Sequence, residues 1–462
     1  MTDLRTTLLV IGGGPGGYVC ASRAARLGVD TMLVERDRLG GTCLNVGCIP
    51  SKALIHAADL FSKALRQSTD GTCGVHVAQP RLDFGETRNW MDGVTAKLRA
   101  GVAGLLEKSG VKSVSGHARF LDGKTVEVTG DTGRMTIHAE YIVIASGSRP
   151  VNLPGLPTGG RVLDSTAALA LTEPPSTLGV IGAGYIGLEL GTAFAKLGTK
   201  VTLVEAAEDI LPQYDSRLTR PVRRRLSDLG ITLKTGTRVE GWDDATGTLT
   251  MSTSDGQDTA DFDKVLVTIG RTANTDGLGL EELSLRMDGG LIHVDDRCTT
   301  SMRGVHAIGD VTPGPMLAHR AIAQAEVVAD VVAGHTAQWD RRCVPEVCFT
   351  DPEIVSVGLS PEMAEAETAI EVSEFPFRAS GRAMTLDDTD GFVRLVCRAS
   401  DHVILGVQAT GPGISELAGS FAQSIEAGLR AEDISATIHP HPTLSEAYQE
   451  AALGLSSIAN HG

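Results

Sequence analysis

A glycine pattern that occurs twice, each time between two apolar runs, restricts this fold more than any other feature of the chain. In TLLVIGGGPGGYVCASRAARLGVDTMLVER, Gly12, Gly14 and Gly17 stand in G-x-G-x-x-G register after the apolar run Leu8 to Ile11, and Glu35 ends a second run, Met32 to Val34. TLGVIGAGYIGLELGTAFAKLGTKVTLVE repeats the pattern with Gly182, Gly184 and Gly187, encloses Tyr185 and Ile186, and closes on Glu205. A strand, tight turn, helix and strand in this order bring backbone close to a pyrophosphate and point a helix N-terminus at its charge. The terminal carboxylate then accepts from a ribose 2′-hydroxyl. One glycine fingerprint alone is weak, but two complete units predict two dinucleotides on two Rossmann-like domains. A flavin and a nicotinamide exchanging a hydride is the simplest use of such a pair. At the second site Glu205 repels a 2′-phosphate and no arginine immediately follows it, so NAD is expected rather than NADP.

The remaining composition sets limits. A chain of 462 residues exceeds what one core supports. Its net charge of −16 is spread without a Lys/Arg block, which argues against nucleic acid and anionic membrane as partners. The opening MTDLRTTLLVIGGG has the form of neither a signal nor a transit peptide, and no apolar run approaches a membrane span. The cytoplasm is therefore the expected location, where eight cysteines are expected to be free, catalytic or metal-binding rather than structural disulfides.

GGTCLNVGCIPSK carries Cys43 and Cys48, beginning shortly after Glu35 and hence near the first nucleotide. In an ideal helix, residues five apart lie beyond the ~7 Å that a disulfide tolerates. Gly47 lets the turn distort enough to bring them together. CVPEVC has the same spacing at Cys343 and Cys348, but it reads as a strand whose side chains diverge. Those two, with Cys20, Cys73, Cys298 and Cys397, are expected to be small core residues. No second Cys or His pair stands near Cys43 and Cys48 to complete a zinc site, so no metal is expected. Near the other end, HPHPTLSEAYQE offers His441 and, five residues on, Glu446. An imidazole is a natural proton acceptor for an attacking thiol, and a carboxylate fixes its tautomer. His439 reads as part of a solvated His-Pro turn.

With these residues in view, the chain resembles the class I pyridine nucleotide-disulfide oxidoreductases, which are flavoproteins, and within them the dihydrolipoyl dehydrogenase group. The likeness spans essentially the whole chain, with GGTCLNVGCIPSKALIH and HPTLSE its most specific segments and ASGSRP, AIGDV, GPMLAH, FTDPEIVSVG and DDTDGFVRLV between them in order. It implies an α/β chain with two Rossmann-like domains and a C-terminal α+β interface domain: an FAD-binding domain over 1–149, an NAD-binding domain over 150–271, a central domain completing the FAD site over 272–341, and a dimerisation domain over 342–462.

It also implies a homodimer that oxidises protein-bound dihydrolipoamide with NAD. Its partner would be a lipoyl-bearing acyltransferase of a 2-oxoacid dehydrogenase complex, or the lipoyl carrier protein of a glycine cleavage system. By resemblance, Cys43 exchanges with substrate and Cys48 faces the flavin. Lys52, paired with Glu189, sits at flavin N5. Gly41, Thr42, Ser146, Gly147, Ser148 and Asp310 line the FAD site, Ala118 meets the adenine, and Met316, Leu317, Ala318 and His319 give backbone donors to the flavin ring. Val239 and Gly270 contact NAD. His441 and Glu446 act on the cysteines of the opposite subunit.

Several positions depart from the family pattern. Ser146 replaces a more frequent Thr, and GRTAN at 270–274 replaces GR-x-PN, neither removing a functional group. Tyr185 matters more, because glutathione-reductase-like members use a tyrosine there as a lid over the nicotinamide pocket. A mercuric reductase would carry a C-terminal cysteine pair, where this sequence reads LGLSSIANHG. A glutathione reductase would usually take NADP, and a soluble transhydrogenase would lack the cysteine pair. The alternatives kept are an NAD(P)H-dependent reductase of a glutathione- or mycothiol-type disulfide, and a non-catalytic FAD/NAD-binding redox sensor.

Overall fold

The computed structural model describes residues 2–131, 133–254 and 256–455. The LGLSSIANHG segment used above against a mercuric reductase therefore falls largely outside the described residues.

Near-continuous apolar runs make strands buried on both faces, as parallel sheets require. Strand β1 (Thr2–Ile11), helix α1 (Pro15–Arg26) and strand β2 (Thr31–Glu35) form the first unit, with Leu8, Leu9 and Val10 fully enclosed. Pro15 at the start of α1 presets its first turn. β1 pairs in parallel with β2 on one side and with Gly133–Ile144 on the other. The end of that long strand, 142–144, pairs in parallel with Val305–Ala307, so a segment far along the chain completes the first sheet. The second unit repeats this plan, with Thr177–Ile181 flanked in parallel by Lys200–Val204 and Lys264–Val267. A separate antiparallel sheet of five strands holds residues 346–411, packed on one side by the helices Ala418–Glu426 and Glu446–Leu455. No described helix is long and apolar enough to cross a membrane.

The fingerprint glycines are sterically required. A Cβ on Gly17 would stand 1.8 Å from the Gly12 carbonyl oxygen, and one on Gly187 would stand 2.0 Å from that of Gly182. The third glycine of each pattern thus seats the helix against its own turn instead of facing the ligand. Gly17→Ala should push α1 off the turn at a cost of about 1–3 kcal/mol. The expected result is a lower flavin-to-protein absorbance ratio in the purified variant together with a lower Tm; normal values of both would contradict this packing.

Candidate active site

The cysteine segment is two helices, not one. Helix α2 (Gly41–Val46) ends at Gly47, whose φ −139° and ψ −111° break the helix before α3 (Cys48–Thr69) begins. A Cβ at Gly47 would lie 3.0 Å from the Thr42 carbonyl oxygen, so a larger side chain would reopen the break. The break brings the two thiols into hydrogen-bond contact, both of them free. Asn45 braces this turn through its side-chain amide, which donates to Leu39 O at 3.0 Å and Gly41 O at 2.9 Å, and Arg99 Nε donates to its oxygen at 3.0 Å.

The two thiols are electrostatically unequal. The hydrogen bond to Cys48, burial and the nearby Cys48 charge push the Cys43 thiol well above its ordinary range. The hydrogen bond from Cys43 pulls Cys48 down to about 7; burial opposes this and the Lys52 ammonium assists it. Cys48 is thus the more acidic thiol of the pair, and both thiols line the open cleft. Lys52 Nζ meets Glu189 Oε2 at 2.7 Å, and the Glu189 side chain is only 4% exposed, so this is no surface ion pair. The Phe349 amide donates to the other Glu189 oxygen at 2.9 Å, and the Phe349 ring lies 4.5 Å from Lys52 Nζ.

The cleft around Cys43 and Cys48 extends along Gly12, Gly14, Glu35, Gly41 and Thr42 on one side. Ser146, Gly147, Ser148, Asp310, Met316 and Ala318 line it further along. It fits FAD on steric grounds: a Cβ at Gly41 would stand 2.6 Å from Gly14 Cα, and one at Gly12 would stand 2.3 Å from Ala145 O, so only glycines leave this cradle open. The helix Ala318–Val332 starts at the cleft and directs its N-terminal amides there. Glu35 accepts from Gly13 N at 2.6 Å and Asp37 N at 2.8 Å, so this carboxylate ties down the glycine turn. Glu205 does the same at the second site, accepting from Ala183 N at 2.6 Å and Ala207 N at 2.8 Å.

The second cavity is lined by Gly182, Gly184, Tyr185, Ile186, Glu205, Val239 and Gly270, which suits a second dinucleotide. Tyr185 and Ile186 line both cavities and stand between them. Arg238 also lines the second cavity, a basic group the sequence reading overlooked because it does not adjoin Glu205. NAD should still exceed NADP in kcat/KM by roughly tenfold or more, because the Glu205 carboxylate in the wall of this cavity would repel a 2′-phosphate. Equal values for the two cofactors would overturn that reading.

Some expected residues lie elsewhere. Ala118 is enclosed in the strand His117–Asp122 and lines neither cavity, whereas its neighbours Gly116 and His117 wall a small hollow beside Arg36 and Asp37. Leu317 lines the second cavity instead of the first. The His319 ring meets Pro345 O at 2.8 Å, while the role expected of this residue belongs to its backbone amide, in the first turn of the helix Ala318–Val332. Cys73 is exposed in a left-handed turn at φ 56°, not a core residue. Cys343 precedes the strand Glu346–Cys348 and is half-buried beside Glu426. Cys20, Cys298, Cys348 and Cys397 are buried as expected. His439 is half-buried, with its Nε2 enclosed, instead of solvated.

Sequence reasoning missed Arg271. It donates through Nε to Ser148 Oγ and through a second nitrogen to Ser148 O, both at 2.8 Å, and it lines both cavities. The arginine of the GRTAN segment is its only trace in the sequence. Ser148 in turn donates to Asp310, and Asn274 holds the Ser146 carbonyl at 3.0 Å. His441 Nδ1 lies 2.8 Å from Glu446 Oε1, and Thr443 N donates to Glu446 Oε2 at 2.7 Å. An Nδ1–H donating to the carboxylate leaves Nε2 as the acceptor. The His441 side chain is 79% exposed and lines no part of the cysteine cleft of its own chain.

Comparison with known proteins agrees with this geometry. Residues 6–325 match the family model described as pyridine nucleotide-disulphide oxidoreductase, and residues 344–452 match its dimerisation domain. A dihydrolipoyl dehydrogenase of Pseudomonas aeruginosa is 51% identical over 460 residues, 99% of each chain. Another from Geobacillus stearothermophilus is 45% identical, covering 97% of this chain and 96% of its own. Among solved structures, LpdA from Mycobacterium tuberculosis superposes with a TM-score of 0.90 at 27% identity, covering 97% of this chain and 99% of its own. The chain belongs to the pyridine nucleotide-disulphide oxidoreductase family and is an oxidoreductase that uses FAD and NAD.

Proposed function

We propose that the protein oxidises protein-bound dihydrolipoamide to lipoamide with NAD+, as the shared component of a 2-oxoacid dehydrogenase complex or a glycine cleavage system, and that it does so as a cytoplasmic homodimer. The observation that carries this reading is the unequal cysteine pair at the broken helix, with Lys52 and Glu189 beside it. The near-full-length similarity to dihydrolipoyl dehydrogenases supports the choice of substrate. The division at 149, 271 and 341 is proposed with it, as are the site roles.

The chemistry follows from the residues. With the pair oxidised, His441 of the partner subunit takes the proton from one substrate thiol, and the resulting thiolate attacks Cys43 Sγ. The Cys43–Cys48 bond breaks and Cys48 leaves as a thiolate, held by the Lys52 charge and afterwards by a hydrogen bond from Cys43. The second substrate sulfur then displaces Cys43, which leaves with a proton, and the cyclic disulfide departs. FAD, when bound, carries the electron pair onward to NAD+. Summed, a dithiol and NAD+ give a disulfide, NADH and one proton.

Tyr185, standing between the two cavities, favours a second reading as a reductase of a low-molecular-weight disulfide of the glutathione or mycothiol type. A non-catalytic redox sensor would tolerate an incomplete site, whereas Cys43, Cys48, His441 and Glu446 are all present. One assay separates these readings: NAD+ reduction by dihydrolipoamide, run beside NADPH- and NADH-driven reduction of glutathione and mycothiol disulfides. Turnover of the small disulfides with none of dihydrolipoamide would overturn the proposal in favour of the second reading.

A further inference from the structure

The CVPEVC segment supplies no redox pair, but it does place a carboxylate in the wall of the second cavity. Glu346 and Cys348 stand two apart on the strand Glu346–Cys348, so both face one side of it, about 7 Å from each other. Both line the second cavity. The strand ends beside the redox centre, since the next residue is Phe349, whose amide donates to Glu189 at 2.9 Å. The Phe349 ring lies 4.5 Å from Lys52 Nζ. Burial, and after it the Glu189 charge, pushes the Cys348 thiol up to about 12, which also puts Cys348 close to that pair. Tyr185 and Met316, which line both cavities, mark the same end as the one that adjoins the cysteine cleft.

A neutral donor holds the carboxylate there. The Tyr214 hydroxyl donates to Glu346 Oε2 at 2.8 Å and lies 3.9 Å from Cys348 Sγ, as the shared face of the strand requires. Burial, assisted by the Cys348 and Glu346 charges, pushes the Tyr214 hydroxyl well above its ordinary range, so it remains a donor. Tyr214 is itself tied to the second glycine turn. Its amide donates to Leu211 O at 2.9 Å, and the Leu211 amide donates to Ala183 O at 3.1 Å. Among the described residues Glu346 forms no ion pair, so its charge is oriented without being cancelled. The other charged residues of the cavity wall are Glu205, Arg238 and Arg271, and Arg271 directs two of its nitrogens to Ser148.

Hydride transfer requires the nicotinamide at the end of its cavity that adjoins the flavin cleft, which is the end Glu346 lines. The nicotinamide ring carries a positive charge in NAD+ and none in NADH. A fixed carboxylate there attracts the first and is indifferent to the second. Repulsion between that carboxylate and the pyrophosphate is the same for both forms and cancels when they are compared.

We propose that Glu346, held by Tyr214, is a specificity-determining residue that makes the second cavity bind the oxidised nicotinamide in preference to the reduced one. The inference rests on the assignment of this cavity to NAD and holds whichever dithiol or disulfide the enzyme takes. By linkage, hydride transfer to the bound acceptor becomes less favourable by the same factor. The preference therefore serves the exchange of NADH for NAD+ after each turnover, not the hydride step.

The test measures equilibrium binding to oxidised holoenzyme by calorimetry, with two probes. One is NAD+; the other is its 1,4,5,6-tetrahydro form, whose ring is neutral and cannot give a hydride to the flavin. In the wild type NAD+ should bind more tightly than the tetrahydro form. Glu346→Gln, which keeps an oxygen for Tyr214 to bond, should reduce the ratio of the two Kd values by about three- to tenfold. Glu346→Asp, which keeps the charge, should retain most of the wild-type ratio. Flavin content and Tm, read on each variant, report that the fold is intact. A ratio that Glu346→Gln leaves unchanged would overturn the proposal, and so would a ratio lost as fully in Glu346→Asp as in Glu346→Gln. A merely structural role would weaken both probes together and leave their ratio in place. If the wild type bound neither probe, the assignment of the cavity to NAD would fall, and this inference with it.

Discussion

Replacing either cysteine with serine should abolish dithiol oxidation, a loss of at least about 10³-fold, while only one of the two replacements should remove the spectroscopic signature of the pair. The electrostatics of the pair favour the thiolate at Cys48, lowered by the hydrogen bond from Cys43 and by Lys52, over Cys43, which burial and the same hydrogen bond raise. Reduced wild-type holoenzyme should therefore show a long-wavelength charge-transfer absorbance from the Cys48 thiolate. Cys43→Ser should retain it, and Cys48→Ser should lose it. The sign of its pH dependence follows from the same pair. The thiolate is the form present above its pKa, so the band should fade as pH falls through about 7, well below the ordinary thiol value of 9.0. Because the hydrogen bond from Cys43 is the largest cause of that depression, Cys43→Ala should move the midpoint upward, whereas Cys43→Ser, which keeps a donor, should move it less. A band that survives Cys48→Ser, or a midpoint that Cys43→Ala leaves in place, would reverse the assignment of the two sulfurs.

What was legible in the sequence was mostly what sterics dictate. Gly17 and Gly187 could be placed because no other residue fits within 2 Å of a carbonyl oxygen. Gly47 could be singled out because a continuous helix would hold the cysteines apart. The pairing of His441 with Glu446 was also local, closed within five residues by the turn that starts the last helix. Contacts between distant segments left no such trace. The Phe349 amide on Glu189 spans 160 residues, and a backbone donor has no residue type to read. Arg271 looks like any surface arginine until the fold brings Ser148 beside it. Residue type alone misled at Cys73, where a left-handed turn holds the thiol in solvent.

His441→Gln should lower dithiol oxidation by about 10²–10⁴-fold, the usual contribution of a general base, while flavin content and NADH oxidation by artificial electron acceptors persist. Glu446→Gln should cost less, because it orients the imidazole without taking the proton. The exposed position of His441 within one chain is what makes the dimer part of this prediction. At 79% exposure and outside the cysteine cleft, its Nε2 has nothing of its own subunit's chemistry to act on. The match of residues 344–452 to a dimerisation domain places it on the part of the chain that meets a partner. Inactive Cys43→Ser and His441→Gln homodimers, mixed and refolded together, provide the discriminating measurement. In a heterodimer one composite site collects both lesions and the other has neither, so close to half of the wild-type activity per heterodimer should return. If the two groups acted within one subunit, every site would keep one lesion and verified heterodimers would stay inactive. Recovery thus requires that the base cross the subunit boundary, and its absence would remove His441 from the partner's site.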